Sequence, residues 1–295
     1  MNIMVKQNKL AIGAVQFGIP YGIANVSGQV SPDEVRRILK LAESKGVKTI
    51  DTAVAYGDSE KVLGRNNLSQ FSVVTKIPSI PDDVKNATRW VENQVSASLC
   101  RLKISSYDGL LLHNPLQLLK PYGKEVYRRL VEYKEEGIVS RIGISIYSSE
   151  ELDVLCDYFQ FDLVQAPLNI IDNRLIESGW LKRLREMQAS LHVRSIFMQG
   201  LLLLPKEQRP EKFNRWKSLW DRWDKWIEDT GQTPLQACLR HAISFEDVEK
   251  VVVGVDSFLQ FEQVLNSLDG TYYTPPDNLH TEDVQLLNPS CWSDL

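Results

Sequence analysis

Short apolar runs rich in β-branched residues or leucine alternate with longer amphipathic runs eight times along this chain. The strand-like runs begin near Ala11 (AIGAVQF), Thr49 (TIDTA), Ser72 (SVVTKI), Asp108 (DGLLLH), Arg141 (RIGISIY), Leu163 (LVQAPL), His192 (HVRSIFM) and Lys250 (KVVVGV). Their starts lie on average about 34 residues apart, the size of one strand and one crossover helix. Strands that are apolar on both faces and joined by helices argue a parallel sheet buried all round. Eight such units closing on themselves give a (β/α)8 TIM barrel, which is the expected fold. A doubly wound open sheet is the alternative, but GAVQFG after the first strand lacks the third glycine of a dinucleotide fingerprint.

Helical patterns fill the gaps at 82–102, 121–136, 149–159, 177–190, 233–243 and 258–269, with a short one at 59–65. The first helix is the best marked: in SPDEVRRILKLAESKG, Ser31 is the expected cap, Pro32 the first helical residue and Gly46 the stop. A length of 295 residues suits one barrel as well as two smaller domains, so a single domain over 1–295 is expected. Two additions decorate it. A segment at 206–232 carries Trp216, Trp220, Trp223 and Trp226 at helical spacing, and a tail at 271–295 has no clear periodicity. The stripe reads as a helix packing its aromatic face inward, with a lid or partner surface as the other reading.

Composition excludes several classes. With 34 Lys+Arg against 38 Asp+Glu, the chain has no basic excess to recruit a nucleic acid. The longest purely aliphatic run, Leu201 to Leu204, is far too short to span a bilayer, and no secretory leader is evident. Cys100, Cys156, Cys238 and Cys291 lie 56, 82 and 53 residues apart, which forms neither a zinc pattern nor a compact disulfide framework. A soluble, cytoplasmic protein without metal is expected, as a monomer or weak dimer.

Ionisable residues at strand ends point to chemistry. Asp51 lies in TIDTA with Tyr56 five residues on, Lys76 ends a strand after Val73 and Val74, and His113 follows three leucines. In a barrel these ends converge on one mouth. A buried carboxylate, ammonium and imidazole are costly unless they pair. A neighbouring ammonium would lower a phenol's pKa and make Tyr56 a tuned proton donor, with Asp51 holding Lys76. His113 would then orient a carbonyl oxygen. A Schiff-base aldolase using Lys76 is a weaker reading, because Asp51 favours a charged lysine. A glycosidase would need a second carboxylate at a strand end, and Asp58 and Glu60 fall on the following helix.

At DTAVAYG, VVTKIP and LLLHNP the sequence resembles the aldo-keto reductase superfamily, whose members use an Asp–Tyr–Lys–His tetrad. AYGDSEKVLG is similar to the family's segment after the tyrosine, with Glu60 and Gly64 in register. The resemblance implies a nicotinamide cofactor, hydride transfer to a carbonyl carbon, and Tyr56 as general acid. It also implies Ser145 and Gln165 as holders of the carboxamide, and Arg194 in the place of an aromatic residue stacked on the nicotinamide, followed by Ser195. Gly254, Asp256, Ser257, Gln260 and Gln263 fall in the remaining cofactor segment, and Phe17, Tyr21 and Asn114 on the expected substrate loops. Departures are clear: Ile146 stands where Asn is common, and Gln260, Gln263 and Val264 replace the usual Arg, Glu and Asn. The family favours NADP(H), which is placed first, and the missing cation and nearby Asp256 pull towards NAD(H). The substrate is expected to be a small aldehyde, ketone or keto-sugar. A cofactor-sensing subunit with little turnover, docked through the Trp stripe, is the alternative function.

Overall fold

Each apolar run forms a strand in the computed structural model, which describes residues 3–295. The strands are β1 Leu10–Gly13, β2 Thr49–Asp51, β3 Ser72–Ile77, β4 Tyr107–Leu112, β5 Val139–Ser145, β6 Leu163–Pro167, β7 Ser190–Arg194 and β8 Val248–Gly254. All neighbours pair in parallel and β8 returns to β1, with Gly13 opposite Gly254, so the sheet closes into a barrel. The fold is a (β/α)8 TIM barrel.

Burial explains the sequence pattern. β1, β2 and β6 are buried at every position, which only a sheet covered on both faces permits. Val74, Leu111 and Leu163 pack together as a separate layer within the barrel. Outside the strands the main core gathers Val35, Ile38, Val91, Val126, Leu152 and Phe261 from the surrounding helices.

The helix Pro32–Ser44 begins as expected. Ser31 Oγ accepts a hydrogen bond from the Glu34 amide at 3.3 Å, and Val35, Ile38, Leu39 and Ala42 form the buried face. Ser31→Ala removes that cap and should cost about 1 kcal/mol in a urea titration, with the m-value unchanged. Three helices differ from their sequence patterns, one of them, Glu150–Leu155, by ending four residues before the expected 159. The pattern at 82–102 starts only at Ala87, because Asn86 Oδ1 caps it through the Arg89 amide. The pattern at 177–190 divides into Arg174–Glu177 and Trp180–Glu186, separated by Gly179 at φ 78°. An additional helix, Ile3–Asn8, precedes β1 and buries none of its residues, which is why no apolar period marks it.

The tryptophan stripe lies on the helix Lys217–Thr230. Trp220 and Trp223 are buried, and Trp216 and Trp226 flank them half-buried. They pack on Met198, Leu201 and Leu202 after β7 and on Leu279, Leu287 and Trp292 of the tail. The indoles of Trp216 and Trp220 donate to Asp283 and to the Phe213 carbonyl, both at 2.9 Å. The stripe is thus a second hydrophobic core joining the segment after β7 to the tail, and its aromatic face is not free to dock a partner.

Candidate active site

The site begins with backbone close packing. A Cβ on Gly18 would stand 1.8 Å from the Tyr56 carbonyl oxygen, so only glycine lets the loop after β1 press against the loop after β2. Ser59 Oγ crosses the same gap to the Ala14 carbonyl at 2.7 Å and meets Thr52 Oγ1 at 3.0 Å. Glu60 anchors this loop from below: it accepts from Thr75, Ser98 and Arg101 and is 2% exposed. Tyr56 is thereby fixed to β3 and to the helix Ala87–Leu102.

Asp51 and Lys76 form a buried ion pair, with Lys76 Nζ donating to Asp51 Oδ1 at 2.6 Å and to the Thr52 carbonyl at 2.8 Å. The second Asp51 oxygen accepts from Gln165 Nε2 at 2.6 Å, and Ser145 Oγ donates to Gln165 Oε1 at 3.4 Å. A chain of polar side chains therefore runs across the top of the barrel from β5 through β6 and β2 to β3. In this structure Gln165 and Ser145 serve Asp51, which spacing alone did not suggest.

Lys76 Nζ lies 5.1 Å from the Tyr56 ring centroid, over its face. The Tyr56 ring meets His113 edge-on, with centroids 5.8 Å apart. Sequence reasoning expected Lys76 to lower the phenol's pKa, and the structure reverses that. Burial, followed by the charge of Asp51, pushes the Tyr56 phenol well above its ordinary value, with Arg194 opposing. The lysine's charge is largely committed to Asp51, and burial pushes the ammonium itself down against that partner's pull. His113 is lowered to about 4 by burial and by the charges of Lys76 and Arg194. At neutral pH the free site thus presents a protonated phenol beside a neutral imidazole.

A second buried histidine, His241, is also lowered to about 4 by burial, next to the Tyr272 hydroxyl. Both histidines have folded values below the unfolded 6.5, so the unfolded chain binds more protons between these limits. Stability should be full above about pH 6.5 and fall as pH drops towards 4, by at most about 3 kcal/mol per histidine. Urea midpoints near pH 7.5 and pH 5 read this directly. An unchanged midpoint would mean that neither ring is held neutral.

Tyr56 and His113 open onto a cavity of about 560 Å³. Its walls come from the loop after β1 (Gln16, Tyr21, Asn25), from Tyr147, from Arg194 to Leu203 and from Val252 to Val264. Of the expected residues, Asp51, Tyr21, Ser195, Gly254, Asp256, Gln260 and Gln263 line it as well. Lys76, Ser145 and Gln165 lie buried behind it. Ser257 does not line it; its hydroxyl caps the helix Phe258–Ser267 through the Gln260 amide. Phe17 and Asn114 are not brought to the cavity. In the turn Val15–Phe17 it is Gln16 that faces the cavity while Phe17 joins the core, and Asn114 is exposed and bonded to Ser79.

Gln16 and Tyr147 line the cavity without a motif to mark them in the sequence. Tyr147 lies two positions beyond Ser145, and Gln16 one before Phe17. Ser195, Met198 and Gln199 have left-handed backbones (φ 59°, 48° and 55°), a strained conformation for non-glycine residues that clusters at functional sites. Asn169 Nδ2 holds the Ser195 carbonyl at 3.2 Å. The loop after β1 is strapped over the cavity by the Ile23 amide on the Gln199 carbonyl (3.0 Å) and by Asn25 Nδ2 on Asp256 (3.0 Å).

The walls combine apolar surface with polar groups. Gln16 Oε1 is buried on the cavity with no hydrogen-bond partner among the described residues, an acceptor awaiting a donor. A Cβ on Gly254 would come within 2.5 Å of the Gln16 side chain, so glycine keeps that part of the wall open.

A family model described as the aldo/keto reductase family matches residues 9–274. The chain belongs to the aldo/keto reductase family. Among curated relatives of this aldo/keto reductase, D-threo-aldose 1-dehydrogenase of a Pseudomonas species is 27% identical over 253 residues, covering 72% of this chain and 77% of that protein. An aldo-keto reductase of Mycobacterium sp. (strain JLS) is 28% identical over 56% of this chain, and the match spans 58% of that relative. The holo form of an aldo-keto reductase from Bacillus halodurans superposes with a TM-score of 0.70 at 20% identity, covering 95% of this chain and 90% of that one. The glycerol dehydrogenase of Gluconobacter oxydans superposes at 0.67, with 22% identity and 90% and 88% coverage. Among the described residues no helix is long and apolar enough to cross a membrane.

Proposed function

We propose that this aldo/keto reductase is a nicotinamide-dependent oxidoreductase that interconverts a small carbonyl compound and its alcohol, with Tyr56 as general acid. The observation that carries the reading is the meeting of Tyr56 and His113 on one cavity wall, in front of the buried Asp51–Lys76 pair. A reduced nicotinamide, when bound, supplies the hydride. The chain's own residues do the rest. His113, neutral at working pH, can donate one hydrogen bond to the carbonyl oxygen and draw charge towards it. The Tyr56 hydroxyl, whose raised pKa keeps it protonated, gives its proton to that oxygen as the alkoxide develops. Lys76 and Asp51 hold the ring face and the local field, with Gln165 and Ser145 positioning Asp51 in turn.

Gln16, Ser195, Gly254, Asp256, Gln260 and Gln263 are the proposed cofactor contacts, with Ser257 fixing the helix that carries the last two. Family habit argues NADP(H). The wall favours NAD(H): between Val252 and Val264 it presents Asp256 and two glutamines and no cation to receive a phosphate. At that helix terminus Glu34 Oε1 accepts from the Phe258 amide at 2.6 Å, and its ion-pair partner Arg37 stacks on the Phe258 ring at 4.6 Å, outside the cavity lining. D-threo-aldose 1-dehydrogenase and glycerol dehydrogenase, as relatives, support a hydroxylated substrate, and Tyr21 and Tyr147 offer it aromatic faces. The tail and the segment 206–232 share one core with the loop after β7, which supports reading 1–295 as one unit. The cofactor-sensor alternative loses its docking stripe to that same core.

The test is consumption of NADH and NADPH with a panel of aldoses, hydroxyketones and aromatic aldehydes. Turnover of at least one class is expected. Tight cofactor binding with no turnover on any of them would favour the sensor.

A further inference from the structure

Arg194 ends β7 on the cavity wall, and among the described residues it is the only lysine or arginine that lines the cavity. Its guanidinium donates to Ser195 Oγ at 3.1 Å and to the Ile146 carbonyl at 2.8 Å, and stacks on Tyr147 at 4.6 Å. It forms no ion pair among the described residues. A guanidinium has five N–H donors, and these two bonds leave the others open. An uncompensated charge on a half-buried wall is costly unless a ligand completes it.

The backbone around Arg194 also argues for a built site. Ser195, next in the chain, is held left-handed with Asn169 on its carbonyl, and the Ile146 carbonyl grips the guanidinium itself. The cation is therefore presented rigidly. It lines the same cavity as Tyr56 and His113, and its charge acts on both. Of the other charged groups of the wall, Asp51 is paired with Lys76, and Asp256, hydrogen-bonded to the neutral Asn25, forms no ion pair with Arg194.

We propose that Arg194 is an oxyanion-recognition residue and that the carbonyl substrate carries a carboxylate or phosphate group, bound by this guanidinium beside Tyr56. This rests on the oxidoreductase reading for the carbonyl, and it assigns the arginine to the substrate in place of the stacking role expected from the sequence. A planar guanidinium suits the two oxygens of such a group, and Tyr147 beneath it fixes the plane.

The experiment compares D-glucose, D-glucuronate and D-glucose 6-phosphate as substrates of wild type, Arg194→Met and Arg194→Gln. In parallel, calorimetry measures binding of malonate and of uncharged malonamide to each protein, and of the reduced cofactor alone. In the wild type one anionic sugar should exceed glucose in kcat/KM, and the arm that responds separates carboxylate from phosphate. In the variants that preference should fall about 10- to 100-fold, the size of one lost charge-assisted contact. Malonate binding should be lost with it, while malonamide does not bind any of the proteins. Thermal melts confirm folding, and the Gln variant keeps a polar group should Met disturb the wall. An unchanged preference together with unchanged malonate binding overturns the proposal. So does a preference that stays constant while cofactor affinity falls, which would return Arg194 to the nicotinamide. If no sugar turns over but malonate binding still depends on Arg194, the anion site stands and the catalytic reading falls.

Discussion

Tyr56→Phe should leave a folded protein that still binds its nicotinamide cofactor and has lost about 10²- to 10⁴-fold of its carbonyl-reducing kcat. The substitution removes one oxygen and little else. The ring remains edge-on to His113 and under Lys76, so the shape of the wall is kept. No group nearby can take over the proton. His113, at about 4, is a neutral donor of a hydrogen bond and too weak a base in its free site to stay protonated at pH 7. Lys76 is held by Asp51 and the Thr52 carbonyl behind the ring. The readouts are kcat, cofactor Kd and melting temperature measured together. Near wild-type kcat in the Phe variant would remove Tyr56 from the mechanism.

The second large effect is on stability. Lys76→Met should cost about 3–5 kcal/mol, because it strands a buried carboxylate rather than deleting an attraction. Lys76 is fully buried and Asp51 is 3% exposed. With the ammonium gone, Asp51 keeps only Gln165 as a hydrogen-bond donor. The double variant Asp51→Asn/Lys76→Met should recover part of the loss, since a neutral amide in place of the carboxylate leaves no orphan charge while Gln165 keeps an acceptor. Urea unfolding of the four proteins forms the cycle. A double variant no more stable than Lys76→Met would mean that the penalty comes from lost packing and not from the stranded charge.

The barrel was legible because its strands are buried on both faces. The eight β-branched or leucine-rich runs recurring at the βα period formed strands, and the eight observed starts fall within two residues of the expected ones. Helix ends were less legible where a side chain rather than a period decides them, as with the Asn86 cap and the left-handed Gly179. The tetrad residues could be read because each is an ionisable group following an apolar strand. Their energetics could not: the sequence places Lys76 and Tyr56 near each other but does not say that Asp51 and the Thr52 carbonyl claim the ammonium first.

Side-chain direction was the other limit. Gln16 and Phe17 are adjacent in one turn, yet the first faces the cavity and the second the core. Ser145 and Gln165 sit at the expected strand ends and turn to Asp51, completing a network that reaches across four strands. Arg194 stood out as a departure from an aromatic position. Only the structure reveals that it has no ion-pair partner among the described residues and that the residue after it has a strained backbone.

The most direct test of the central claim is equilibrium binding of NADH and NADPH to the wild-type chain, followed by quenching of its seven tryptophans. The account predicts one site per chain, with NADH bound more tightly than NADPH because the wall between Val252 and Val264 presents Asp256 and two glutamines rather than a cation. Failure of both to bind at about millimolar concentration, a weak limit for a specific ligand, would contradict the nicotinamide-dependent reading despite the tetrad.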